Sequence, residues 1–103
     1  MKKLMIALAL MLFVTSTAQA HSPLCDCFDN GDDTITCEGG FSDGSSANGV
    51  KIHVLDAAGK ALLEGKMNED SEFTFNKPAV DYTVVFDAGE GHSVEVNGKD
   101  IVE

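Results

Sequence analysis

The chain has 103 residues, 44% of them hydrophobic, and sets 17 acidic side chains against 7 basic ones for a formal net charge of −10. That length bounds it to one small domain with a thin core. The acidity excludes a nucleic-acid or anionic-lipid surface, because phosphate binding needs clustered Lys and Arg.

Residues 1–20 have the three parts of a secretory signal. Lys2 and Lys3 make a positive start, residues 4–14 are apolar, and Ala18-Gln19-Ala20 is an A-x-A cleavage site. Eleven apolar residues give a helix of about 16 Å, too short for roughly 30 Å of hydrocarbon. The segment therefore reads as an export signal, with a periplasmic or secreted destination. Cleavage would leave residues 21–103 as a single β-sandwich domain that starts at His21 and keeps 5 Lys, no Arg and all 17 acidic residues.

Helical periodicity is absent from the mature chain. Strand signals recur every eight to twelve residues, the all-β pattern. "LCDCFD" and "TITCEGGF" flank "NGDD" and read as a hairpin, since Asn-Gly favours the tight turn. A calcium loop fails there, because Phe28 stands where D-x-[DN]-x-[DN]-G needs oxygen. "FSDGSSANG" is a polar loop. "VKIHVLD" turns Val50, Ile52 and Val54 to one face and His53 to the other. "ALLEGKM" follows a turn-like gap, "EFTF" pairs Phe73 with Phe75, and "DYTVVFD" aligns Tyr82, Val84 and Phe86 after the breaker Pro78. "HSVEV" aligns Val94 with Val96, and the last five residues fray or add an edge. Six or seven short strands predict a small all-β, Ig-like or transthyretin-like antiparallel sandwich. Its expected core is Ile35, Val50, Ile52, Val54, Leu63, Phe73, Phe75, Tyr82, Val84 and Phe86.

"GVKIHVLDAAGKALLEGKMNEDSEFTF" resembles the strand–turn–strand unit of carboxypeptidase-regulatory-like, transthyretin-like domains, with a D-x-x-G-K turn and a T-D-E-x-G-x-F corner. Ser71 stands where that corner usually has Gly. Together with the N-terminal His21, "TITCEGGFSDG" and "VVFDAGEGHSVEV", the chain is similar to the small periplasmic accessory component of nickel/cobalt energy-coupling-factor transporters. The resemblance implies binding of Ni²⁺ or Co²⁺ and delivery to the transporter's membrane component. The chain departs from that family at Cys25, Cys27 and Cys37, where aliphatic and aromatic residues are usual.

The residues that could hold a metal are His21, Cys25, Cys27, Cys37 and His92. A mature amino terminus at His21 would offer an α-amine and an imidazole to one ion, whose binding displaces the amine proton near neutral pH. The alternative is a frayed terminal residue. Cys25 and Cys27 share a strand face, and the hairpin brings Cys37 opposite them. Three thiolates with His21 would suit Ni²⁺, Co²⁺, Zn²⁺ or Cu(I). The competing reading is a disulfide from Cys37 to Cys25 or Cys27, as small secreted domains use. A Cys25–Cys27 bond is disfavoured, because extended neighbours two apart sit near the ~7 Å Cα limit. His92, in Asp87-Ala88-Gly89-Glu90-Gly91-His92, is a ligand by the resemblance and otherwise a surface turn histidine. No Ser-His-Asp set, P-loop or G-x-S-x-G is present, so no enzyme is expected. Besides the transport accessory, two classes stand open: a disulfide-stapled interaction module without metal, and a copper or zinc buffer.

Overall fold

A computed structural model describes residues 22–103. Seven strands run in chain order: β1 (Pro23–Asp29), β2 (Thr34–Phe41), β3 (Lys51–Asp56), β4 (Ala61–Lys66), β5 (Glu72–Asn76), β6 (Tyr82–Asp87) and β7 (Ser93–Asn97). They form two antiparallel sheets, β1-β2-β5 and β4-β3-β6-β7. The all-β sandwich expected from the alternating pattern is the fold of the described residues.

Side-chain alternation assigns the faces. On β3 Ile52 and Val54 are fully buried, and on β6 Tyr82, Val84 and Phe86 are buried in every second position. On β2 Ile35 and Cys37 do the same from the other sheet. Of the expected core, Val50, Leu63 and Phe73 pack against it only partly buried. Cys37, Ala47, Met67 and Ile101 complete it instead. Cys37 alternates with Ile35 on β2 and Met67 continues the alternation of Leu63 and Gly65, whereas Ala47 and Ile101 belong to no alternating apolar run, so periodicity could not select them.

The end of the chain differs from the expected fray or edge strand. Residues Gly98–Asp100 make a 3₁₀ turn, Ile101 inserts into the core at 7% exposure, and the Asp29 N–H donates to the Val102 carbonyl at 3.0 Å. Burying Ile101 offsets the cost of ordering this tail, at roughly 1.5–3 kcal/mol for one aliphatic side chain.

The turns explain the loop chemistry. At the hairpin between β1 and β2, Asp29 accepts from the Gly31 N–H and Asp32 from the Thr34 N–H, each within about one turn. Lys77 adds a 2.8 Å ion pair to Asp29. Between β3 and β4, Asp56 accepts from the N–H groups of Ala58 and Lys60, the role its place in D-x-x-G-K requires. At the corner before β5, Ser71 takes the left-handed conformation (φ 61°) that glycine would adopt without cost. Its hydroxyl compensates by accepting from the Ala47 N–H at 2.9 Å, while Asn68 accepts from Asp70 and Glu72.

Gly39 sets the approach of the sheets. A Cβ there would lie 2.6 Å from Phe86 Cε1 and 3.0 Å from Met67 Cε. The missing side chain lets Phe86 seat against β2.

Candidate functional site

The first hairpin concentrates sulfur. Cys25 and Cys27 are two apart on β1, so both point to the inner face. In the ladder Cys27 stands opposite Cys37 and Cys25 opposite Gly39. Cys27 and Cys37, with Cα atoms 4.0 Å apart, are joined as a disulfide, and Cys25 is the free cysteine. Of the two partners open for Cys37, the register selects Cys27, because the two sit face to face while Cys25 is one diagonal step away. The disulfide fits an oxidising compartment, and among the described residues no helix is long and apolar enough to cross a membrane.

All three sulfur atoms nevertheless lie within 4.8 Å of one another. Cys37 is fully buried, and Cys25 and Cys27 are half-buried and packed against the core. The apolar surroundings push the Cys25 thiol up to about 11, and the neighbouring Asp26 carboxylate adds to the shift. At neutral pH Cys25 is therefore a protonated thiol and a slow nucleophile.

The outer face of the same sheet is acidic. Asp26, Glu38 and Glu72 stand in one row across β1, β2 and β5. Carboxylates placed directly opposite repel one another, which costs stability and favours cations nearby.

His92 closes the turn between β6 and β7. The Ala88 N–H donates to the His92 carbonyl, the His92 N–H to the Gly89 carbonyl, and the ring Nδ1 lies 3.1 Å from the Glu90 carbonyl. Gly89 and Gly91 both have positive φ, which lets this short turn expose the imidazole. His92 does not join the sulfur group. It lies instead at the end of the sandwich where the described chain begins. Ser22 is bound there to Ser42 by two hydrogen bonds at 2.9 Å. Phe41, one residue before Ser42, meets Phe86, whose strand leads into the His92 turn, with ring centroids 6.2 Å apart. His21, the remaining candidate ligand, lies outside the described residues.

His53, on the face of β3 opposite Ile52 and Val54, is only partly exposed. Its ring nitrogens lie 3.6 Å from Glu64 and 3.7 Å from Asp87, on the strands to either side. Sequence reading also missed Met67, whose methyl reaches the Gly39 position on the face that carries Cys25. It falls one residue after β4 and continues the inward positions of Leu63 and Gly65.

No family model, curated protein or solved structure matches this chain, so the chemistry of its own residues carries the functional reading.

Proposed function

We propose that this chain is an exported periplasmic protein that binds Ni²⁺ or Co²⁺ through nitrogen ligands and serves the membrane component of a nickel/cobalt transporter, the role its sequence resemblance implies. One observation carries the metal part. The fold draws the start of the described chain at Ser22 and the turn bearing His92 to the same end of the sandwich. His21 is covalently joined to Ser22. After A-x-A cleavage its α-amine and imidazole would form one chelate, with the His92 imidazole as a further donor. Borderline divalent ions accept such nitrogen sets. With Cys27 and Cys37 bonded to each other and Cys25 protonated, the oxidised protein offers nitrogen rather than thiolate to an ion. The acidic surface supports the reading by attracting cations over a distance, screened by salt.

The test is calorimetric titration of Ni²⁺ and Co²⁺ into three proteins: the His21-start form, a form with one Gly before His21, and the His92→Ala variant of the His21-start form. The extra residue abolishes the amine–imidazole chelate and leaves every side chain in place. Affinity should fall at least tenfold in the extended form and less steeply in His92→Ala. Equal affinity in the first two, or no binding at all, defeats the proposal. The Cys27–Cys37 staple favours a second reading, a rigid interaction module without metal, and absence of binding in all three proteins selects it.

A further inference from the structure

We propose that reduction of the Cys27–Cys37 disulfide converts the inner face of the first hairpin into a Cu(I) site formed by the sulfurs of Cys25, Cys27 and Cys37. The inference is independent of the nitrogen-ligand reading: it uses other atoms, another metal and another redox state of the chain.

Geometry carries it. A metal–sulfur bond of about 2.3 Å puts three sulfurs of a trigonal site about 4.0 Å apart. The three sulfur atoms already lie within 4.8 Å of one another. Rotation about the Cα–Cβ bonds covers the difference once the disulfide opens. The backbone positions do not depend on that bond. Cys27↔Cys37 is one of seven consecutive paired positions between β1 and β2, with β5 paired on the other side of β2. The ladder therefore continues to present the three cysteines on one face after reduction.

The donor set selects the metal. Among the described residues, the group of candidate ligands contains three sulfurs and no carboxylate or imidazole. Zn²⁺ in structural sites takes four ligands, and Ni²⁺ and Co²⁺ accept nitrogen and oxygen. Cu(I) is the soft ion that thiolates select. The setting agrees: the cysteines pack against the apolar core, Phe73 stands opposite Cys37 in the ladder, and the Met67 methyl reaches the position of Gly39, the partner of Cys25.

The reaction balances with a dithiol as reductant. Its thiolate attacks the half-exposed Cys27 sulfur, forming a mixed disulfide and releasing the Cys37 thiolate. Its second thiol then displaces the Cys27 sulfur and closes the reductant's own disulfide, so two electrons pass to the protein. Cu⁺ binds next, and each thiol that ligates as a thiolate gives one proton to solvent.

The experiment uses the purified exported protein under anaerobic conditions, as isolated or reduced by a phosphine and desalted. Cu(I) is supplied as its coloured bicinchoninate complex. The reduced chain should withdraw one Cu(I) per molecule and develop thiolate-to-copper absorption in the ultraviolet, while the oxidised chain withdraws none. Reduced Cys25→Ser and Cys25→Ala, both with β-sheet circular dichroism, should bind at least tenfold more weakly. Equal uptake by oxidised and reduced protein overturns the proposal. So does undiminished uptake by both Cys25 variants, or loss of the β-sheet signal on reduction, which would leave no ladder to hold the sulfurs.

Discussion

Reducing the Cys27–Cys37 bond should weaken the fold without abolishing it. The bond closes a loop of sequence separation 10. Loop-closure entropy for that length is about −9 cal/mol/K, or about 2.7 kcal/mol at 25 °C. A domain of this size has a total stability of roughly 4–12 kcal/mol, so the reduced chain should still fold. The magnitude also has a physical ceiling in this case. The hairpin turn is fixed by side-chain caps from Asp29 and Asp32, so the unfolded chain retains some closure bias and the measured loss should not exceed the entropic figure by much. The assay is urea denaturation of one protein, Cys25→Ser, with and without a phosphine; the substitution prevents exchange among the three sulfurs. The midpoint should shift down at nearly constant slope, corresponding to about 2–3 kcal/mol. A loss under about 0.5 kcal/mol would mean that the unfolded chain is already closed at this point. Complete unfolding on reduction would refute the claim that the ladder, rather than the bond, holds the strands in register.

Five further outcomes follow from particular contacts. Phe86→Ala empties a fully buried site and should cost about 3–5 kcal/mol in chemical denaturation, whereas Gly39→Ala forces a Cβ onto Phe86 and should cost about 1–3 kcal/mol. Glu38→Lys, between Asp26 and Glu72, should raise stability by roughly 0.2–1 kcal/mol per relieved pair, most clearly at low salt. The Lys77 ammonium, through its hydrogen bond, and then the Gly31 N–H hold the Asp29 carboxyl below 3.8. Its contribution to stability is thus present above the unfolded value and lost as pH falls through the folded one, and carboxyl NMR titration should show Asp29 moving back toward 3.8 in Lys77→Met. With its thiol pushed up to about 11, Cys25 should alkylate slowly at pH 7 and about tenfold faster per pH unit until that value is approached.

The alternating segments settled much of the architecture from sequence alone. A period of two is a local property of the strand, so "VKIHVLD" and "DYTVVFD" specify which side chains turn inward without knowledge of the partner strand. The turn after β1 and the D-x-x-G-K turn were legible for a related reason: Asp29 and Asp56 bond to backbone groups within four residues. Three decisions belong to the tertiary structure alone. Met67 is fully buried where its methyl reaches the Gly39 position on the other sheet, and Ile101 is buried beyond the last strand, where no periodic run marks it. The pairing register, not the spacing of the cysteines, chose Cys27 over Cys25 as the partner of Cys37 and left the third sulfur nearby. His92 and the segment at Ser22 are seventy residues apart in sequence and share one end of the sandwich because two sheets pack through Phe41 and Phe86. Contacts of that range depend on how layers stack, and a strand's own residues encode its faces but not its neighbours.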